Sequence, residues 1–439
     1  LIFALAGLVT RQTAYSAILL WPLAVLLAWY RQAKPGARKL AWAAGGLLLL
    51  VGLGVLLARD DAAGWYRETL QAGPDRVETR AAPQGQYALR LTTLAGEAPG
   101  RLVQILPYAA AGELAGKQVT LGAWIWADQP LEIRSPEIYV YARGKGYSRP
   151  ISITTQPQFF AFTIRLGRET HRTWVILSPG AGRPEETRNI YYDGLVLAEG
   201  AFPAGEPPVF TSTRADSGTW GGVAFTNYLR NASAESAGLR VRPWVDGLGE
   251  RLLPETGFER LSLTLYTVLD RPAAGYYYLE TFKNLGRTFW AVFGWNGIYL
   301  PGSNPYRPLA WITVLGLLGA MLAGWHYRRQ LPWSVILLFA VALIAVWGFA
   351  MLRGSNYIFM RLGFLPAARY VYPAVVPAML AFTGGWVYLL EQSLGKWLRQ
   401  TDRNHLAWLA YLPLGVFLAG LNIYCLVSIV RAWQSMGVL

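Results

Sequence analysis

The feature that most constrains this chain is where its apolar residues fall. Long hydrophobic runs occupy both ends, residues 1–58 and 309–430, and a polar, turn-rich stretch over about 60–279 separates them. A helix needs about 20 apolar residues to cross a hydrocarbon core about 30 Å thick. A backbone in lipid must satisfy its own hydrogen bonds, so runs of this kind can only be helices. The middle must then fold in water. The pattern predicts a polytopic α-helical membrane protein with an inserted, extracytoplasmic all-β sandwich.

Composition agrees. Of 439 residues, 53% are hydrophobic, and the 19 Trp and 24 Tyr suit the aromatic belts at a bilayer interface. The formal charge of +14 does not point to nucleic acid, because the basic residues are scattered and follow the edges of the apolar runs. The single cysteine, Cys425, excludes an intramolecular disulfide. His171, His326 and His405 stand apart, so no metal site and no cofactor is expected. The chain opens at Leu1 in mid-run, without a charged leader or cleavage site. The expectation is a fragment whose upstream membrane helices are missing.

Seven spans are expected: residues 1–9, 14–30, 40–58, 309–325, 333–352, 370–390 and 406–430. Basic loops follow the second (Arg31, Lys34, Arg38, Lys39), the fourth (Arg328, Arg329) and the sixth (Lys396, Arg399, Arg403). The positive-inside rule puts all three in the cytoplasm. The polar middle, the loop 353–369 and the C-terminus then lie outside a cytoplasmic (inner) membrane. Gly45, Gly46, Gly52 and Gly54, with Gly316, Gly319 and Gly324, read as sites of close helix packing. The expected domains are 1–59, membrane helices; 60–200, the sandwich; 201–281, an irregular, partly β segment; and 282–439, an interfacial aromatic helix followed by four membrane helices.

Within the middle, strands are expected at 101–106, 118–126, 137–141, 159–164, 173–177 and 191–197, separated by Gly, Pro and Asp clusters. The segments Tyr87-Ala88-Leu89-Arg90-Leu91, Leu114-Ala115-Gly116-Lys117-Gln118-Val119-Thr120-Leu121-Gly122-Ala123-Trp124 and Tyr191-Tyr192-Asp193-Gly194-Leu195-Val196-Leu197 form an ordered series. Over about residues 65–200 this series resembles the jelly-roll carbohydrate-binding modules appended to glycan-active proteins. The resemblance implies sugars stacked on aromatic faces, and the candidates are Trp124, Trp126, Tyr139 and Tyr141. Asp193 reads as a turn or fold-stabilising residue, not a ligand. Asn227-Tyr228-Leu229-Arg230-Asn231-Ala232-Ser233-Ala234-Glu235 resembles the opening strand of a similar module. The sequon Asn231-Ala232-Ser233 reads as a chance occurrence.

The aromatic run from Thr288 to Pro301, with Arg369-Tyr370-Val371-Tyr372-Pro373, resembles a bacterial polytopic membrane family of unassigned function. That family is similar to C-type glycosyltransferases, which take sugars from polyprenyl-phosphate carriers. Ala368 stands where the family carries Gly. The resemblance covers about 282–390, with Arg11-Gln12-Thr13. Independently, Arg11, Arg353, Arg361 and Arg369 fall on the outer face, where basic residues are disfavoured. Guanidinium forks match phosphate oxygens. Arg369, Arg361 and Arg11 are therefore the candidate phosphate ligands, with Tyr370 as a hydroxyl donor. No catalytic base is identified. Asp60, Asp61 and Glu280 are the nearest carboxylates, and the family's acidic residue would lie upstream. Two functions stay open: a glycosyltransferase using membrane lipid, a polyprenyl-phosphate-linked sugar and a glycan or lipid acceptor, or a non-catalytic membrane-anchored glycan-binding scaffold.

Overall fold

The computed structural model describes residues 36, 45–47, 52, 54, 56–68, 76–178, 182–252, 260–293, 298–302, 304–362, 366–397 and 404–435. Arg11 and the spans expected over 1–9 and 14–30 lie outside the described residues, as does most of 40–58. The chain divides into two compact units. One is drawn from residues 42–277 and 355–363, the other from 278–354 and 364–439.

In chain order the first unit contains β1 (Leu57–Ala62), β2 (Tyr66–Arg67), β3 (Arg76–Glu78), β4 (Tyr87–Thr93), β5 (Leu102–Ile105), α1 (Tyr108–Glu113), β6 (Gln118–Ala127), β7 (Leu131–Arg134), β8 (Glu137–Val140), β9 (Lys145–Tyr147), β10 (Pro150–Ile153), β11 (Gln158–Arg165), β12 (Thr173–Leu177), β13 (Arg188–Glu199), β14 (Val209–Phe210), β15 (Ser217–Trp220), β16 (Val223–Thr226), β17 (Ala237–Val241), α2 (Pro243–Leu252) and α3 (Leu261–Leu269). Two five-stranded antiparallel sheets, ordered β11-β6-β13-β4-β3 and β2-β5-β12-β8-β9, form an all-β sandwich. Successive side chains on a strand point to opposite faces. On β6, Val119, Leu121, Ala123, Ile125 and Ala127 enter the shared core. Thr120, Gly122, Trp124 and Trp126 take the outer face.

On β13 the alternation slips. Ile190 and Tyr192 enter the core, and so do Leu195 and Leu197. The register against β6 shifts between Asp193 and Val196, and Gly194 sits at φ +50°. This is a β-bulge at a residue that can turn left-handed without a Cβ penalty. Without it, everything after Asp193 would face the wrong way.

The segment after residue 200 completes the same unit. Trp220 and Phe225 of the small β14-β15-β16 sheet pack with Phe159, Ala161, Val196, Ala198 and Phe202 on the outer face of the first sheet. Gly122 leaves room for them, since a Cβ there would lie 2.7 Å from Phe159 Cζ and 3.2 Å from Trp220. β17 pairs with β1, so the chain is already strand at Leu57, inside the span expected to run to 58. No second module opens at Asn227, because residues 227–236 contain no strand. The Asn227 side chain accepts from the Leu197 and Leu229 N–H groups and donates to the Leu195 and Ala215 carbonyls. It thereby draws Leu229, Ala232 and Ala234 into the existing core. The Asn231 amide donates to the Ala63 and Ser236 carbonyls and Ser233 is fully buried, so that sequon is structural.

The second unit is helical. After α4 (Arg271–Ala291) come β18 (Val292–Phe293), β19 (Ile298–Tyr299), α5 (Tyr306–His326), α6 (Trp333–Phe359), α7 (Val375–Leu390) and α8 (Leu412–Ser435); the division between the units passes through α4 and again through α6, whose residues 355–359 belong to the first unit. Four stretches among the described residues are long and apolar enough to cross a membrane: Tyr306–His326, Trp333–Phe359, Tyr372–Gly395 and Trp408–Ser435. They coincide with the last four expected spans. Large apolar side chains on them face outward, among them Met321 and Ile344 at 73% exposure, a surface that is costly in water.

Two expectations are corrected. α6 runs on to Phe359, so Arg353 is helical and does not begin a loop; no Pro or cap stops the helix at Leu352, and Ile358 and Phe359 are buried. The aromatic run is not one interfacial helix either. It is helix to Ala291, then the β18–β19 ribbon, and Trp290 packs with Leu300, Leu309 and Phe417. Its indole donates to Thr313 Oγ1 at 2.9 Å. Of the glycines, Gly316, Gly319 and Gly385 bring α5 and α7 together: a Cβ on Gly385 would collide with the Gly316 carbonyl, and one on Gly319 with that of Gly385. At Gly45, Gly46, Gly52, Gly54 and Gly324 a Cβ would meet nothing within 4 Å among the described residues.

Candidate functional site

The four aromatic candidates fall on opposite sides of the sandwich. Trp124 and Trp126 lie on the outer face of the first sheet. Tyr139 is on β8 of the second sheet and Tyr141 follows it, because β8 pairs with β12 and β9.

On the second sheet, Trp174 is fully buried, with Tyr139 at 5.9 Å and Tyr141 at 6.2 Å between ring centroids. The Arg361 guanidinium lies 5.0 Å from the Tyr139 ring, and that of Arg172 lies 5.4 Å from Tyr141. Tyr66, Tyr266 and Phe359 cluster beside them, with centroids 4.7–5.6 Å apart. The Tyr66 hydroxyl donates to the Phe359 carbonyl at 2.8 Å. Tyr139 and Tyr141 thus spend their rings on packing within this unit.

The outer face of the first sheet differs. The β14-β15-β16 sheet covers one end and leaves two rows of side chains at the other. One row is Trp126, Tyr191 and Arg90, set opposite one another by strand register. Trp126 is 4% exposed and stacks on Tyr191 at 5.3 Å and 11°. The second row is Asp128, Asn189 and Thr92. Asp128 accepts from Asn189 Nδ2 at 2.6 Å and from the Tyr191 hydroxyl at 3.1 Å, and Thr92 donates to Asn189 Oδ1 at 2.7 Å. Burial, with Asp128 beside it, raises the Tyr191 pKa, so the phenol stays protonated. The result is a half-open aromatic ledge bordered by a carboxylate, an amide, a hydroxyl and a guanidinium. Sequence reasoning missed Asp128, Asn189, Thr92 and Arg90, and it read Tyr191 as a fold motif. Their common signal is register: they meet only once β4, β6 and β13 are paired.

Two residues beyond Tyr191 on β13, opposite Trp124, lies Asp193. Its carboxylate is fully buried and accepts from the Gln84 and Gly194 N–H groups at 2.7 and 2.6 Å. Burial pushes its pKa up to about 8 against the pull of those two bonds. A Cβ on Gly194 would lie 3.0 Å from Trp124 Cδ1, so the bulge also seats that indole.

The cationic candidates belong to different units. Arg361, at φ +63°, pairs with Glu68, whose other oxygen takes Arg101 at 3.4 Å. A phosphate at Arg361 would have to displace a carboxylate. Arg369 and Tyr370 belong to the helical unit. There Arg369 donates to the Tyr370 hydroxyl at 3.2 Å, and the guanidinium groups of Arg353 and Arg369 each lie 5.1 Å from the Tyr370 ring centroid. Arg353 is buried and Arg369 exposed. Arg11 is outside the described residues. Asp61 sits in β1 and pairs with Arg67 at 2.8 Å, because the chain is strand there and not a helix end. Glu280 pairs with Lys283 at 2.8 Å.

A cavity of about 350 Å³ in the first unit is lined by β1, β17, α2 and α3. At its wall Arg230 donates to both Asp270 oxygens and, at 3.1 Å, to the Ile105 carbonyl. The Tyr266 hydroxyl bonds the Gly64 carbonyl at 2.7 Å and the same carboxylate.

No family model matches the chain, and no curated protein matches it. Solved structures similar to part of the chain include carbohydrate-binding modules. A CBM4 structure is 15% identical and covers 31% of this chain and 95% of its own, with a TM-score of 0.25. A family 61 module in complex with β-1,4-galactotriose is 19% identical over 32% of this chain and 92% of its own, at 0.25. The CBM22-1 xylan-binding domain of Paenibacillus barcinonensis Xyn10C is 12% identical over 34% and 96%, at 0.24.

Proposed function

We propose that this chain is a membrane-anchored glycan-binding protein whose sandwich, on the extracytoplasmic side, holds a carbohydrate against the half-exposed Tyr191 and Arg90, with the buried Trp126 stacked behind Tyr191. The observation that carries the reading is the ledge itself. The apolar C–H face of a pyranose matches an aromatic face. Vicinal hydroxyls need groups that donate and accept side by side. Asp128, Asn189, Thr92 and Arg90 supply both around the stacked Tyr191. The apolar spans supply the anchor, and the basic loops support an extracytoplasmic sandwich.

The test is binding of the whole chain in nanodiscs to a panel of neutral and uronic-acid-containing oligosaccharides, by calorimetry. Tyr191→Ala is expected to weaken the tightest ligand about fivefold, since a stacked aromatic contact is worth roughly 1 kcal/mol. An unchanged Kd in that variant, or no binding across the panel, removes the ledge as the site.

A second reading is that the chain transfers a sugar from a polyprenyl-phosphate carrier. One observation favours it: two guanidinium groups flank Tyr370 beside an apolar helix, where a lipid phosphate could be held as its charge grows. Its weakness is the base, because Asp61 and Glu280 already hold cationic partners. With radiolabelled polyprenyl-phosphate sugars, Arg369→Ala is expected to lower transfer about a hundredfold, the scale of losing one preorganised donor. Transfer equal to wild type would discard the cluster.

A further inference from the structure

We propose that α2 lies in a lipid–water interface, with Trp244, Leu248 and Leu252 among the headgroups and upper acyl chains of an anionic bilayer. At 3.6 residues per turn these three positions share one side of the helix. They are 52%, 46% and 62% exposed. A second side, carrying Val245, Asp246 and Gly249, is buried in the unit, and Asp246 accepts the Ser262 N–H at the start of α3 at 2.9 Å. Gly247 and Glu250 occupy the third. α2 therefore has three faces: one on protein, one polar, and one apolar with nothing over it among the described residues.

Two features identify what covers the apolar face. The chain carries four stretches fit to cross a membrane, so a bilayer is available to it. The stripe also has interfacial chemistry: an indole at one end, and the exposed Arg242 and Arg251 at either end, able to lay their stems along apolar surface while their charges reach anionic headgroups. A core-forming partner would favour a stripe free of flanking charge. A bilayer surface rewards this mixture.

The test uses the whole chain in nanodiscs, with Cys425→Ser as background. Spin labels are attached at Trp244→Cys, Leu248→Cys and Leu252→Cys, and at Gly247→Cys and Glu250→Cys. A Cβ at Gly247 meets nothing within 4 Å among the described residues, so that control does not strain the helix. Labels on the stripe are expected to favour oxygen over a water-soluble nickel chelate, at a depth of roughly 5–10 Å, and to move deeper as anionic lipid replaces zwitterionic lipid. Labels at 247 and 250 are expected to favour the chelate. Equal chelate access at 248 and 250 would overturn the proposal, as the mark of a solvated face. Exclusion of both reagents from the stripe would overturn it too, as the mark of a protein partner.

Discussion

Asp270→Ala is expected to lower the stability of the sandwich unit by about 3 kcal/mol, read as a shifted denaturant midpoint of tryptophan fluorescence. The Asp270 side chain is 6% exposed and receives both terminal nitrogens of Arg230. It also receives the Tyr266 hydroxyl, and it stands immediately before α4, where its Oδ1 takes the Ala273 N–H at 3.4 Å. Truncation strands a largely desolvated guanidinium, and breaking a buried pair from one side costs about 3–5 kcal/mol. The lower end applies because the Arg230 side chain is 27% exposed and can recruit water. Loss of an N-cap adds up to about 1 kcal/mol. Asp270→Asn should lose less, since the amide still caps α4 and accepts one bond. Arg230→Met in the Asp270→Ala background should recover part of the loss by removing the stranded charge. A double variant as unstable as the sum of the singles would show that the pair is not coupled.

Much of this fold is legible in the sequence because two periodicities report it. The apolar spans declare themselves by length, and β12 falls where the alternation puts it, at Thr173–Leu177. The candidate site is far less legible, and the reason is distance along the chain. Arg361 reads as an unmatched outer cation until its partner Glu68 arrives from 293 residues away. Tyr139 and Trp124 look like one aromatic series until β8 is found in the sheet opposite β6. Asn227 opens what resembles a second module, yet its amide bonds across to Leu195 and Ala215 of the first. Local pattern sets which residues form strands. Which strands become neighbours depends on long-range packing that leaves little trace within any one window.

The Asp193–Gly194 bulge makes a prediction about pH. Asp193 has a folded pKa of about 8 because burial disfavours its charge, while an unfolded carboxylate titrates near about 3.9. The folded state therefore holds a proton that the unfolded state releases, and unfolding is helped wherever the pH exceeds the unfolded value. This contribution to stability is fully present below about pH 4. It falls as the pH rises toward 8 and is flat beyond. Its size follows from the separation of the two values, on the order of 4 kcal/mol between pH 4 and pH 7. The buried Asp246, whose pKa burial also raises, works in the same direction. Asp193→Asn cannot ionise and should flatten the profile over pH 4–8, leaving the variant more stable than wild type at pH 8. The measurement is urea unfolding at one-unit pH steps for both proteins. If the two profiles run parallel, the bonds from Gln84 and Gly194 fully offset burial and the carboxylate is ionised throughout. The bulge would then be an anion held by two backbone N–H groups, and Trp124 would rest on a charged base instead of a neutral one.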